Sequence, residues 1–414
     1  MEWIEAVRDF TNENLLIQLV IIISSVKLAG MLSDKLNQPT VFGKLLVGII
    51  IGPSLLGLIR ETETLKLLAE LGVIVLMFLA GLETDVEEFK KAGYAATLTA
   101  IGGVVLPMAA GTVYSMATGY GGFIPLFIGT VLTATSVSIS AQTLRELGRL
   151  RSKMGMTILG AAVIDDVLGI IALTLVLGLA GTVAGAGAHA GGGAMEVTMV
   201  LVKMAVFFLL SIYLGRLLIR PTLKRIRHFP VAQGLMSGAL IIIFLFAFAA
   251  EKSGVANITG AYIAGIIMGT TKYRDEIIQK AEALGYPFLI PVFFVSIGLQ
   301  AKVESIGGSL VFVVVLSLIA ILTKIIGCGV GARVAHFGWK RSLVIGTGMV
   351  SRGEIALIIA SIGLRGKIID APLYTALVIM VLVSTIITPP LLKAVIHWSD
   401  KKHKTTALAD ESGK

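Results

Sequence analysis

Apolar residues in this chain arrive in runs of about twenty, and that run length leaves few architectures open. A helix rises about 1.5 Å per residue, so about 20 residues cross a hydrocarbon core of about 30 Å. Lipid offers no partners to backbone N–H and C=O groups, so a crossing segment must satisfy them internally, as a helix does. The sequence therefore predicts an all-α polytopic membrane protein. Thirteen transmembrane helices are expected, over 14–33, 40–58, 64–82, 93–116, 122–144, 153–180, 196–218, 232–250, 255–270, 283–299, 306–332, 340–364 and 373–396. Composition agrees: 56% of residues are hydrophobic and 15% charged, where soluble domains run to roughly half and a quarter. No hydrophilic run is long enough for a second domain, and the polar tail 400–414 is expected to be disordered.

An odd number of crossings puts the termini on opposite sides. With the N-terminus outside, the cytoplasmic segments carry 22 Lys and Arg and the external ones 7. Cytoplasmic loops are the ones enriched in Lys and Arg, so this orientation is the expected one. The same bias accounts for the net charge of +9 without a nucleic-acid partner. The sole cysteine, Cys328, lies in an apolar run and reads as a packing residue. The Gly/Ala-rich loop GTVAGAGAHAGGGAME reads as a flexible linker, with His189 a solvated loop residue. Spans 1–6 and 8–13 then flank span 7 and start on opposite sides of the membrane. That is the layout of an inverted six-helix repeat.

Most charges inside the spans have simple explanations. Lys27, Lys44, Lys203 and Lys393 lie near span ends, where a long side chain can reach the interface. Glu70 lies in the outer half of span 3. Asp165, Asp166, Lys324, Arg352 and Glu354 resist that reading. Span 5 concentrates hydroxyls in TATSVSIS, with Thr133, Thr135, Ser136, Ser138 and Ser140. Span 12 reads GTGMVSRGE, with Gly346, Gly348 and Gly353 around the charges. The two spans hold equivalent places in the two halves. Helices interrupted at matching positions mark the binding site of many transporters, because the break frees backbone carbonyls for a cation. Two broken helices are therefore expected here.

An ionised carboxylate in hydrocarbon costs about 2.5–3.5 kcal/mol on insertion scales, so an Asp-Asp pair in mid-span needs a purpose. Consecutive helical residues point about 100° apart, which lets one carboxylate meet Lys324 while the other faces a water-filled cavity. Burial and a neighbouring like charge oppose ionisation, while an ammonium favours it. A carboxylate balanced between these can hold a proton or a cation in turn, which gives exchange through one competitive site. Oxygen ligands suit Na⁺ or Li⁺ better than a soft metal. A static buried ion pair is the bland alternative. A cation channel would use similar residues, yet channels build their pores from symmetric rings. An intramembrane aspartyl protease needs its aspartates on two facing helices, whereas both lie on one here. No enzymatic activity and no cofactor are expected.

The motifs AAVIDDVLGI, TATSVSIS, GLETDVEEFKKAG, PVFFVSIGLQ, LTKIIG and SRGE resemble those of the monovalent cation:proton antiporters. The similarity is to the bacterial NapA/GerN-type Na⁺/H⁺ branch and covers nearly the whole chain. It implies a homodimeric, elevator-like antiporter for Na⁺ and H⁺, with Li⁺ or K⁺ as further cations, in the inner membrane of a bacterial-type cell. A K⁺/H⁺ antiporter is the alternative, because the side chains do not separate Na⁺ from K⁺. Segments 14–82 and 232–299 would form the dimerisation scaffold, and 93–180 and 306–396 the ion-translocating core. The helix over 196–218 would link the two repeats. Asp166 matches the ion-binding aspartate, and Asp165 the one paired with the membrane lysine, here Lys324. Thr135 and Ser136 match the first unwound segment, and Arg352 and Glu354 the second. A lysine at this place often accompanies exchange of more than one proton per Na⁺.

Overall fold

A computed structural model describes residues 14–183, 192–227, 233–300 and 310–411. Every regular element among them is helical. The first four are α1 (Leu15–Lys35), α2 (Thr40–Ile51), α3 (Glu63–Glu83) and α4 (Val86–Ala117). Next come two short helices in line, α5 (Ile124–Val131) and α6 (Val137–Glu146), then α7 (Lys153–Val183) and α8 (Gly192–Arg227). They are followed by α9 (Gly234–Lys252), α10 (Asn257–Gly269), α11 (Arg274–Leu284) and α12 (Ile290–Leu299). The last are α13 (Leu310–Val334), a second short pair α14 (Trp339–Gly348) and α15 (Glu354–Arg365), and α16 (Ala371–Glu411).

Nine helical stretches among the described residues are long and apolar enough to cross a bilayer. Helix occurs in every apolar interval of the sequence, but not always at full length. The interval 40–58 closes at Ile51. Pro53 disfavours a helical Gly52, and Gly57 turns the chain at φ 62°. At 12 residues α2 is about 18 Å long, and α10, at 13, is about 20 Å. Between α11 and α12 the helix widens to a π-turn, Gly285–Leu289, where Ile290 N–H bonds to Gly285 O. Pro287 has no N–H to continue the ordinary ladder there. The tail, expected to lack structure from 400, continues α16 to Glu411. Extending an existing helix through KKHKTTALADE needs no new nucleus, and Lys, Ala and Leu favour it. Residues 412–414 lie outside the described set.

The chain divides into two compact units. One comprises Met1–Ala29, Lys44–Glu88 and Asp166–Lys302, and the other Gly30–Gly43, Phe89–Asp165 and Val303–Lys414. The division passes inside α7, between Asp165 and Asp166. In the first unit α3 and α10 touch backbone to backbone: a Cβ on Gly81 would lie 2.9 Å from Gly265 Cα. In the second, a Cβ on Gly327 of α13 would lie 2.9 Å from the carbonyl carbon of Gly102 on α4. Small residues of this kind let membrane helices approach closely. The Gly102–Gly327 approach also sets Lys324, one turn earlier on α13, against the α4 backbone.

Candidate ion-binding site

The second unit holds both helix interruptions. α5 gives out where Thr133, Thr135 and Ser136 follow one another, residues whose hydroxyls compete for backbone partners. Thr133 bends back, its N–H and its Oγ1 both donating to Thr130 O, at 3.0 and 2.7 Å. Ser136 is extended, with φ −101° and ψ 107°. The second interruption spans residues 349–353, where Gly353 takes φ −147° and ψ −141°.

The two breaks meet and satisfy each other. Ser136 N–H donates to Ser351 O at 2.7 Å, and Ser351 Oγ donates to Ser136 O at 2.7 Å. Ser140 Oγ donates to Gly348 O at 2.5 Å and lies 3.0 Å from Ser351 Oγ. A Cβ on Gly353 would sit 2.7 Å from Ser136 Oγ, so the crossing leaves no room for a side chain there. Backbone groups released by a break must find partners inside the protein, and here they find the opposite break.

Two buried cations close the C-terminal end of α5. Lys324 is 0% exposed. Its Nζ donates to Thr133 O at 2.6 Å and to Gly103 O at 2.8 Å, and lies 3.0 and 3.2 Å from the two carboxylate oxygens of Asp165. Arg352 is likewise 0% exposed. It donates from Nη2 to Leu132 O at 2.7 Å and Ala320 O at 2.9 Å, and from Nη1 to Val350 O at 3.1 Å. The C-terminal end of a helix carries partial negative charge, so cations placed there are favoured. Thr385 of α16 completes the arrangement by donating its hydroxyl to Arg352 O.

The aspartates divide. Asp165 takes Lys324 and also accepts from Thr135 Oγ1 at 2.5 Å. Asp166, the next residue of α7, belongs to the first unit, where Thr259 Oγ1 of α10 lies 3.5 Å from its Oδ2. The structure thus brings together Thr135, Asp165 and Lys324. Ser136 contributes its main chain to the crossing and sets its hydroxyl 3.1 Å from Ser138 Oγ. Arg352 serves backbone carbonyls of the broken segment. Glu354 opens α15, and its side chain lies outside the described residues. The oxygens collected here, carboxylate, hydroxyl and carbonyl, suit a hard monovalent cation. No group of three or more His, Cys, Asp or Glu among the described residues suits a transition metal.

Several contributors carry no sequence signal. Gly103, Thr133, Leu132 and Ala320 act through carbonyl oxygens, which every residue has. Ser351 lies beside the SRGE charges, and Thr385 in an α16 segment with two other buried hydroxyls, Ser384 and Thr388. Their signal in the sequence is a hydroxyl in a late apolar span. Thr259 is marked only by being polar at the start of a short apolar helix.

A family model described as sodium/hydrogen exchanger, transmembrane, matches residues 20–398. The chain is 44% identical over 389 residues to the Na⁺/H⁺-K⁺ antiporter GerN of Bacillus cereus, an alignment covering 94% of this chain and 98% of GerN. It is 36% identical over 377 residues to a Na⁺/H⁺ antiporter of Enterococcus hirae, covering 91% and 96% of the two chains. Its fold is similar to that of the sodium proton antiporter MjNhaP1 from Methanocaldococcus jannaschii, with a TM-score of 0.65 over 92% of this chain and 95% of that one. At 18% identity this last likeness speaks for the fold alone.

Proposed function

The chain belongs to the sodium/hydrogen exchanger family, and from that membership we propose that it is a secondary antiporter exchanging Na⁺ for H⁺ at Asp166. The observation that carries the residue assignment is that Lys324 engages Asp165 through both carboxylate oxygens. One aspartate is thereby held by a fixed cation, and its neighbour, about 100° further round the helix, has different surroundings. In this reading Asp166 is neutralised by a proton or by Na⁺, never by both. A bare carboxylate is costly in low dielectric, so the site crosses only when loaded. Competition for one carboxylate is then the coupling between the two ions. In this reading Asp165 and Thr135 add oxygen donors, and Lys324 releases or recovers Asp165 as ions enter and leave.

The crossings follow the same reading. Thirteen spans, the N-terminus outside and the C-terminus in the cytoplasm, make two inverted repeats with 196–218 as the linker helix. Segments 14–82 and 232–299 act as a dimerising scaffold, and 93–180 with 306–396 as the moving core of an elevator. Both breaks, Thr135, Asp165 and Lys324 share one compact unit, which supports their moving together, and the proposed core adds Asp166 and 167–180, which fall in the other unit. K⁺ is a second transported cation in this reading, favoured by the name of the 44% identical relative, a Na⁺/H⁺-K⁺ antiporter. The test is purified protein in proteoliposomes containing a pH-sensitive dye, challenged in turn with Na⁺, Li⁺ and K⁺. Saturable proton movement with Na⁺ is expected. Cation flux without proton movement would place the protein among channels or uniporters instead.

A further inference from the structure

One face of α8 carries a pattern that ion exchange leaves unused. Val202, Val206, Leu209 and Tyr213 follow each other at intervals of three or four residues. Arg216, Arg220 and Lys224 continue the same series. Such spacing keeps the whole series on one side of a helix. The apolar members are exposed, from 46% at Val206 to 70% at Leu209, and the three cations are exposed too. The neighbouring face, with Ser211, Ile219 and Leu223, is buried. There Gly215 lets α8 sit close to α10, since a Cβ on it would meet Ile267. The packing of α8 within its unit is therefore taken up by one face, and the exposed series lies beside it.

The exposed series has the profile of a phospholipid. Val202 to Leu209 spans about 10 Å of helix, within the depth of one hydrocarbon leaflet. Tyr213 follows at the level where aromatic residues meet headgroups. The cations come next, inside an apolar stretch that runs from Val202 to Ile226. Arg220 Nη2 is 3.4 Å from Thr270 O, which sets its guanidinium beside the loop bearing the exposed Lys272. Plain hydrocarbon offers the guanidinium groups of Arg216 and Arg220 no counter-charge. A second copy of the chain packed symmetrically on the stripe would oppose like charges. A phosphodiester compensates them, and guanidinium groups bind phosphate through paired hydrogen bonds.

We infer that this face of α8 binds an anionic phospholipid in the leaflet at the helix's C-terminal end. One acyl chain lies along Val202, Val206 and Leu209, and the phosphate is held by Arg216 and Arg220. Lys224 adds charge at the rim. The site is independent of the exchange reading, because it uses none of the residues assigned to ion binding.

The test is thermal unfolding of the full-length protein in mild detergent, with phosphatidylglycerol, phosphatidylcholine or glycerol 3-phosphate added. Phosphatidylglycerol is expected to raise the midpoint by several degrees more than phosphatidylcholine, and glycerol 3-phosphate to raise it not at all. R216Q/R220Q should melt like the wild type without lipid and lose the phosphatidylglycerol-specific part. Equal shifts from both lipids, or a variant that keeps the specific shift, would overturn the site. A shift from glycerol 3-phosphate alone would make it a phosphate site and overturn the lipid. Loss of an oligomer in the variant with the lipid shift intact would assign the face to a second copy. Should the variant fail to fold, native mass spectrometry of the wild type decides: preferential retention of phosphatidylglycerol supports the site, and indifference between the lipids contradicts it.

Discussion

Lys324 and Arg352 end on adjacent carbonyls of one broken helix turn, the ammonium on Thr133 O at 2.6 Å and the guanidinium on Leu132 O at 2.7 Å. They come from different helical segments, α13 and the break after α14. Each supplies what an interrupted helix lacks, donors for its last carbonyls. The ion pair with Asp165 is thus one part of a larger structure in which two cations hold a break open. Removing either cation leaves carbonyls as well as charge unanswered.

Lys324→Gln is therefore expected to lower stability strongly, since breaking a buried pair by removing one partner costs about 3–5 kcal/mol. Adding Asp165→Asn should recover much of the loss, because the amide needs no counter-ion and can still accept from Thr135. Thermal unfolding of the two single variants and the double variant measures the coupling. Losses that simply add would mean that the two residues are not energetically paired.

Thr385→Val should destabilise by about 1–3 kcal/mol, the cost of a buried carbonyl left without its donor. The shape of the side chain is retained, so the loss reports the hydroxyl bond to Arg352 O. Thr385→Ser keeps the hydroxyl and should melt close to the wild type. Equal losses from Val and Ser would locate the effect in packing.

Competition for one carboxylate fixes the sign of the pH dependence. Acidification protonates the site and removes the form that binds Na⁺. The apparent KM for Na⁺ should rise about tenfold per pH unit on the acid limb of the titration, with the maximal rate little changed. Initial rates of exchange across a pH series check this. A KM indifferent to pH would mean that Na⁺ and H⁺ use separate sites.

The sequence carried the architecture in its run lengths and the breaks in its local composition. Clustered hydroxyls at Thr133–Ser140 and glycines around Ser351–Glu354 are poor helix material, and both segments are interrupted. That one of the two aspartates meets Lys324 followed from the scarcity of other charges at that depth, and the choice of Asp165 followed from the family resemblance. What lay beyond reach depends on backbone. The carbonyls of Gly103, Leu132 and Thr133 are invisible to side-chain reasoning, and so was the service Arg352 gives them. The shortness of α2 was written in Pro53, which an apolar window overlooks. Lys393, read as reaching for the interface, instead donates to Asn37, through its Oδ1 at 2.8 Å and its carbonyl. A long side chain near a span end has both choices, and only the fold decides between them.

The central claim is that Asp166 is where the ions compete while Asp165 belongs to Lys324. Its most direct test is Na⁺-driven proton movement in proteoliposomes carrying Asp166→Asn, with thermal unfolding of the same preparation to show that it is folded. The account predicts a folded protein in which added Na⁺ moves no protons. A folded Asp166→Asn protein that still moves protons in response to Na⁺ would contradict it.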